Sequence, residues 1–133
     1  MFVSQRDRDV LRALVGEYAE IAALPVQCHT VDLWRRLNSL ERVRPLIWVN
    51  EIPWQEMDVD GELQLQCEDG LCREIEWQLR TTLYQWRHLR GDMVVEPVLF
   101  SPVVFTETGL GMDQKTDLVR TDEHSYSPVR QAI

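Results

Sequence analysis

Apolar residues recur every three or four positions near the start of the chain, which is the period of an amphipathic helix. Four of them fall on one face: Val10, Leu14, Tyr18 and Ile21. Ser4 is placed to cap the N-terminus of this helix, and Asp7 puts a negative charge near the positive end of the helix dipole. The pattern predicts a first helix over about residues 5–23, which ends before Pro25 because the residue preceding a proline avoids helical backbone angles.

Two further helices are predicted from the same periodicity. The shorter one spans about residues 30–39, with Thr30 as a possible N-cap. The longer one begins near Glu68 or Gly70 and ends at Gly91, since glycine is common just after the last helical turn. Five apolar residues lie along its buried face: Leu71, Ile75, Leu79, Leu83 and Trp86.

Two apolar runs predict β-strands on either side of the long helix. Residues 43–50 have the sequence V-R-P-L-I-W-V-N, and residues 90–111 form a run rich in Val and Phe. Near-continuous apolar runs are typical of strands covered on both faces, as in parallel sheets. The order of strand, helix and strand predicts a right-handed βαβ unit, so the predicted fold class is α/β. Residues 62–66 are predicted to form a short strand or an extended linker.

Composition and charge narrow the class of protein. The chain has 133 residues, 14 basic and 22 acidic side chains and a net charge of −8, which argues against binding to nucleic acid. No apolar run has the length of a membrane span, so we expect no membrane partner. Charges near the N-terminus are atypical of a signal peptide, and we expect a cytoplasmic protein with reduced cysteines.

Candidate site residues follow from the predicted strands. Ligands of parallel α/β folds bind at the carboxyl ends of strands, where a connection containing Asn50, Glu51 and Trp54 would lie. Glu107 would lie at the same edge, and these four residues are the predicted ligand-binding groups. Glu96 is a carboxylate inside an apolar run, and it is our candidate catalytic residue. An ion pair with Arg44 is the structural alternative for Glu96, and ordinary solvated carboxylates are the alternative for the other acidic residues.

A metal site and a nucleophilic site have less support. Cys67 and Cys72 are spaced C-x4-C rather than C-x2-C, and further ligands would have to come from Cys28, His29, His88 or His124. The chain also lacks the G-x-S-x-G, phosphate-loop and H-E-x-x-H motifs. We therefore predict no metal ligands and no cofactor held by this chain alone.

Three segments resemble a known superfamily. They are R-P-L-I-W-V at residues 44–49, D-M-V-V at residues 92–95 and L-F-S-P-V-V-F-T-E-T-G-L-G-M-D at residues 99–113. The last is similar to the F-S-D and L-G-M segments of the uroporphyrinogen decarboxylase-like superfamily, which includes corrinoid-dependent methyltransferases. The resemblance implies the N-terminal portion of a (β/α)8 barrel. Residues 1–42 would form a helical extension, residues 43–112 the first βαβ portion and residues 113–133 a loop or partly ordered tail.

The departures from the family pattern limit the implied activity. The aspartate of F-S-D is replaced by Pro102, and Asn50 and Trp54 stand where the decarboxylases have arginines that hold propionate groups. The resemblance therefore implies an enzyme other than a true porphyrinogen decarboxylase. Zinc or a corrinoid would need ligands from barrel strands that this chain lacks, and a full barrel needs about 250 residues. We thus expect a portion of a lyase or methyltransferase that is not catalytic by itself.

Two function classes remain open at this point. The first is the N-terminal portion of a decarboxylase-like or corrinoid methyltransferase-like enzyme, whose partner is the remainder of a barrel. The second is a small module without catalysis. It is either a stand-alone binding or regulatory module that uses the loop after the first strand, or an oligomerisation or scaffold piece whose exposed tryptophans are the interface.

Overall fold

The computed structural model describes residues 3–101 with their side chains, and the backbone of residues 116–120 and 126–130. The chain divides into a unit of residues Met1–Ser101 and a unit of residues Pro102–Ile133. The helices of the first unit, within its described residues, are α1 (Gln5–Ala22), α2 (Pro25–Asn38), α3 (Trp54–Met57) and α4 (Gly70–His88). In the second unit, β1 (Thr116–Arg120) pairs with β2 (Tyr126–Arg130) as an antiparallel hairpin, in the stretch for which the sequence predicted a loop or tail.

Helix α1 confirms its prediction to within one residue. The Ser4 hydroxyl accepts a hydrogen bond from the backbone N–H of Asp7 at 3.0 Å, as expected of an N-cap. Helix α2 begins earlier than predicted because Pro25 occupies its first turn, where the missing N–H has no helical partner to lose. Thr30 is therefore inside the helix and not its cap, and its hydroxyl donates to the carbonyl of Val26 at 2.9 Å.

Helix α4 is the central element of the first unit. Asp69 caps it by accepting from the N–H groups of Leu71 and Cys72. Helix α1 packs against it, and the buried core between and beside them consists of Tyr18, Leu79, Leu83, Trp86, Met93 and Val95. The predicted apolar face of α4 is thus largely correct, although Leu71 near its start is exposed.

The predicted α/β fold is wrong for the part of the chain that the structure describes. Residues 43–50 and 92–101 form no strand, residues 62–66 form none either, and neither a βαβ unit nor a barrel is present among the described residues. The remainder of the predicted second strand, from residue 102, lies outside them. Within the described residues, the two apolar runs are instead irregular segments that contact α2 and α4.

In these segments, side chains form the hydrogen bonds to the backbone that a neighbouring strand would form in a sheet. The amide of Gln27 accepts from the backbone N–H of Val95 at 2.9 Å, and the Tyr18 hydroxyl donates to the carbonyl of Glu96 at 2.8 Å. The Gln85 amide donates to the carbonyl of Val49 at 2.9 Å. Because buried backbone groups need partners of any kind, these contacts stabilise extended chain without a sheet. A strand in a sheet and a segment whose backbone is bonded by side chains can have the same apolar composition, so composition alone did not distinguish them.

Two buried carboxylates, those of Asp7 and Glu76, accept hydrogen bonds from the backbone of residues 66–69, the segment before α4. Asp7 accepts hydrogen bonds from the backbone N–H groups of Asp69 and Glu68. The bond from Asp69 has the largest effect, and together these bonds lower the pKa of Asp7 although burial acts to raise it. Burial acts to raise the pKa of Glu76, but hydrogen bonds from the N–H groups of Cys67 and Gln66 and from Arg80 lower it overall. The ionised forms of both carboxylates therefore stabilise this segment.

We expect acid to destabilise the fold through these groups. A carboxylate whose pKa is lower in the folded chain stabilises it at pH values above its ordinary pKa, which is 3.8 for Asp7 and 4.5 for Glu76. That stabilisation is lost as the pH falls through the lower folded-state values, so the melting temperature should drop from about pH 5 downwards. Thermal unfolding followed by circular dichroism between pH 7 and pH 3 tests this. The variant Asp7→Asn should show a shallower dependence, whereas a flat profile for the native chain would contradict the assignment.

Among the described residues, no helix is both long enough and apolar enough to cross a membrane.

Candidate binding surface along helix α4

A groove of about 330 Å³ runs between α4 and the segment that follows it. One wall is apolar and partly open to solvent, because Trp48, Val98 and Phe100 are 53%, 51% and 76% exposed. Leu99 is a fourth exposed apolar residue of the same lining. Single exposed apolar residues are ordinary, but four large ones lining one groove are typical of an interaction surface. Residues lining the groove are Tyr18, Trp48, Gln78, Thr81, Thr82, Gln85, Met93, Val94, Glu96, Val98, Leu99 and Phe100.

Helix α4 supplies the uncharged polar side of this groove. Gln78, Thr82 and Gln85 follow one another at intervals of four and three residues, so they share one helix face. The span from the first to the last is about 10 Å at 1.5 Å per residue. Thr81 lies beside them, and its hydroxyl donates to the carbonyls of Trp77 and Gln78. The groove therefore presents amide and hydroxyl groups opposite apolar side chains.

A second cavity of about 300 Å³ shares Trp48 and Gln85 with the groove. Its lining includes Asn50, Glu51 and Trp54, so the structure brings together three of the four predicted ligand-binding residues. They meet because residues 48–54 curve around Gln85 on α4, and not because a strand ends there. Glu51 has a backbone φ of 54°, an angle that residues other than glycine rarely adopt, and this turn aids the curvature.

Trp54 also lines a third cavity of about 500 Å³, together with Gln55, Asp58, Leu63 and Trp77. Its ring makes edge-on contacts with Trp77 and Tyr84, at centroid distances of 6.2 and 6.1 Å. The Tyr84 hydroxyl donates to the carbonyl of Met57 at 3.0 Å, which ties the short helix α3 to α4. Trp54 is therefore held in place by packing before any ligand arrives.

The three cavities share an electrostatic character. Their ionisable lining groups include the carboxylates Glu51, Asp58 and Glu96, and within the described residues no Lys, Arg or His side chain lines them. None of these three carboxylates forms an ion pair with a described residue, whereas Glu17, Glu62 and Glu76 do. Aromatic faces beside unneutralised carboxylates attract cations and repel anions.

Glu96 lies at the rim of the groove and is exposed, so the burial expected of a carboxylate inside a strand is not present. Its predicted partner Arg44 is also elsewhere. The Arg44 guanidinium makes a two-pronged ion pair with Asp92, whose pKa it lowers, with help from the backbone N–H of Ile47. Glu107, the fourth predicted ligand-binding residue, lies outside the described residues.

The three cysteines lie apart from these cavities, and so do His29 and His88. Cys67 and Cys72 are buried near the start of α4, and Cys28 is exposed on α2. Burial, followed by the nearby Glu76 carboxylate, raises the pKa of Cys67 to about 12, so this thiol stays protonated and unreactive. Among the described residues, no three His, Cys, Asp or Glu side chains are grouped so that they could hold a metal ion.

Sequence reasoning missed most of the groove. Gln78, Thr82 and Gln85 were not among the predicted site residues, and Val98 and Phe100 were assigned to a buried strand. The spacing of the three polar residues was visible in the sequence. The apolar wall opposite them was not, because it depends on where the segment after α4 lies against the helix. Trp48 was likewise assigned to a buried strand, the one predicted for residues 43–50.

The resemblance to the uroporphyrinogen decarboxylase-like superfamily stays a prediction. Its longest segment, residues 99–113, lies almost entirely outside the described residues. The groove and the two cavities beside it are therefore the candidate functional surfaces of the described residues. No protein-family model, no curated protein and no solved structure matches this chain.

Proposed function

We propose that this chain is a binding module that holds a basic, apolar-anchored polypeptide segment of a partner protein in the groove along α4. The observation that carries the proposal is the lining of that groove. Exposed Trp48, Val98 and Phe100 face uncharged amide and hydroxyl groups, and the sole carboxylate among the described lining residues, Glu96, has no basic neighbour there.

A polypeptide fits this surface better than a small polar metabolite. The row of Gln78, Thr82 and Gln85 spans about 10 Å, which matches about three residues of extended chain. Amide and hydroxyl side chains pair with peptide N–H and C=O groups without requiring charge. The apolar wall then supplies contact area for alternate side chains of the bound segment.

Charge favours a basic partner over a second copy of the chain. With a net charge of −8, two copies repel each other at long range, and a symmetric contact through this groove would bring two Glu96 carboxylates together. A basic segment is attracted instead, since its cations approach Glu96 on a chain with a net negative charge. Self-association, which the sequence also suggested, is thus the alternative outcome of the test.

The test uses a fluorescent ten-residue peptide of alternating leucine and arginine, with a second peptide in which glutamate replaces arginine. We expect the basic peptide to bind and the acidic one not to bind, as measured by fluorescence anisotropy. The variant Phe100→Ala should weaken binding about tenfold, since aromatic anchors dominate such interfaces. Leu40→Ala is the matched control, because Leu40 is 94% exposed and lies outside the groove.

Three results would overturn the proposal. Equal binding of both peptides would show that charge does not select the partner. Equal weakening by Phe100→Ala and Leu40→Ala would place binding outside the groove. Concentration-dependent dimerisation that Phe100→Ala abolishes, measured by sedimentation velocity, would assign the groove to a second copy of the chain.

A second candidate is the N-terminal portion of a decarboxylase-like or corrinoid methyltransferase-like enzyme. Its support is the similarity of residues 44–49, 92–95 and 99–113 to segments of that superfamily. Reading the transcript beyond the codon for Ile133 tests it. An in-frame continuation with His and Cys metal ligands would support this candidate, and a stop codon would count against it.

A further inference from the structure

A small aromatic and acidic cavity lies beside the groove and has chemistry of its own. Trp48 and Trp54 form parts of its wall, and Glu51 is its ionisable group. Its volume of about 300 Å³ suits a ligand much smaller than a peptide. The remaining polar side chains are the amides of Asn50 and Gln85, which carry no charge.

We propose that this cavity binds the head group of an organic cation, an alkylammonium or a guanidinium. Tryptophan faces attract such cations more strongly than other aromatic side chains do, and the attraction grows when the cation loses part of its water. The Glu51 carboxylate adds a net negative charge at the same place. The inference rests on this cavity alone and would stand without the polypeptide-binding proposal.

The cavity walls are set before the ligand arrives. Trp54 is held edge-on by Trp77 and Tyr84, and Trp48 makes an edge-on contact with Trp34 at a centroid distance of 6.3 Å. Gln85 is oriented because its Nε2 donates to the carbonyl of Val49, so its oxygen is left as an acceptor. A ligand therefore does not have to order these side chains, which reduces the entropic cost of binding.

Within the described residues, no basic side chain forms an ion pair with the Glu51 carboxylate of this cavity. In the same part of the chain, every arginine that forms an ion pair does so with another acid. The pairs are Arg6–Glu68, Arg12–Asp9, Arg36–Glu41, Arg44–Asp92, Arg80–Glu76, Arg87–Glu17 and Arg87–Glu62. Arg90 lies over Trp86, 4.0 Å from the ring centroid, and so contacts a tryptophan that does not line the cavity. Glu51 is thus left for an external cation.

Choline and its neutral isostere 3,3-dimethylbutan-1-ol separate charge from shape. In NMR titrations of the full chain at constant ionic strength, we expect choline to shift the indole N–H signals of Trp48 and Trp54. The signal of buried Trp86 should stay unchanged. The alcohol should bind at least about tenfold more weakly, because it lacks the charge that the rings and Glu51 attract. A third arm with N-acetyl-arginine amide shows whether a guanidinium binds better than a quaternary ammonium.

Two variants test the residues. Glu51→Gln should weaken choline binding about fivefold while keeping the backbone turn, whereas Asp60→Asn, an exposed neighbour outside the cavity, should leave it unchanged. Trp54→Phe identifies the Trp54 signal and should weaken binding further. Equal binding of choline and the alcohol, equal effects of the Glu51 and Asp60 variants, or no saturable shift in a folded chain would each overturn the inference. None of these results depends on Phe100, so the peptide test remains separate.

Discussion

Replacing Glu76 with alanine is expected to lower the free energy of unfolding by about 3–5 kcal/mol, the usual cost of removing one partner from a buried ion pair. The Glu76 side chain is fully buried, and its carboxylate accepts from the N–H groups of Gln66 and Cys67 and from Arg80. The substitution leaves these donors without a partner and a cavity in their midst. Urea unfolding followed by circular dichroism measures the change.

Glu74→Ala is the control for this experiment. Glu74 lies on the same helix, two residues earlier, but it is exposed. Its substitution should change stability by less than about 0.5 kcal/mol, as is usual for surface positions. A loss of similar size in both variants would show that the buried hydrogen bonds do not govern the effect at position 76.

Replacing Gly91 with alanine is expected to cost about 2–3 kcal/mol, because two penalties act at one residue. Gly91 has a φ of 50°, which disfavours any residue with a Cβ atom. An added Cβ would also lie 2.7 Å from the carbonyl oxygen of Ile47. That oxygen accepts from the N–H of Asp92 at 2.7 Å, so the chain has little freedom to move away.

Gly16→Ala provides a matched substitution with the opposite expected sign. Gly16 lies within α1, is exposed, and an added Cβ there would have no heavy atom within 4 Å. Alanine should stabilise this helix by about 0.5–1 kcal/mol, since glycine is a poor helix former. Both variants can be compared with the native chain in one series of urea titrations. Stabilisation by Gly91→Ala would contradict the left-handed conformation assigned to that residue.

The helices were largely predictable because their determinants are local. Ser4 caps α1, the apolar stripe of α4 faces the core, and both features depend on residues within a few positions of one another. The start of α2 was missed by five residues because Pro25 was interpreted solely as a stop. A proline excluded from one helix also fits the first turn of the next, a local rule that the prediction did not apply.

Part of the candidate site was predictable for a chemical reason. Asn50, Glu51 and Trp54 form a polar and aromatic turn between apolar stretches, and such turns lie at surfaces in most folds. They do line one cavity, although the predicted sheet edge is not there. Glu96 was misjudged because its setting was taken from apolar neighbours in sequence, whereas its own side chain points to solvent.

The amino-acid sequence by itself determined the helical segments, the acidic charge and the polar turn at residues 50–54. The tertiary structure alone decided that residues 43–50 and 92–101 are not strands, and that the groove forms between α4 and the second of these segments. A strand exists only when a second backbone provides hydrogen bonds. Here side chains provide them: Gln27 meets Val95 from 68 residues away, and Asp92 meets Ile47 from 45 residues away. Local hydrophobicity marks such a run, but it encodes neither which of its side chains stay exposed nor which partner satisfies the backbone.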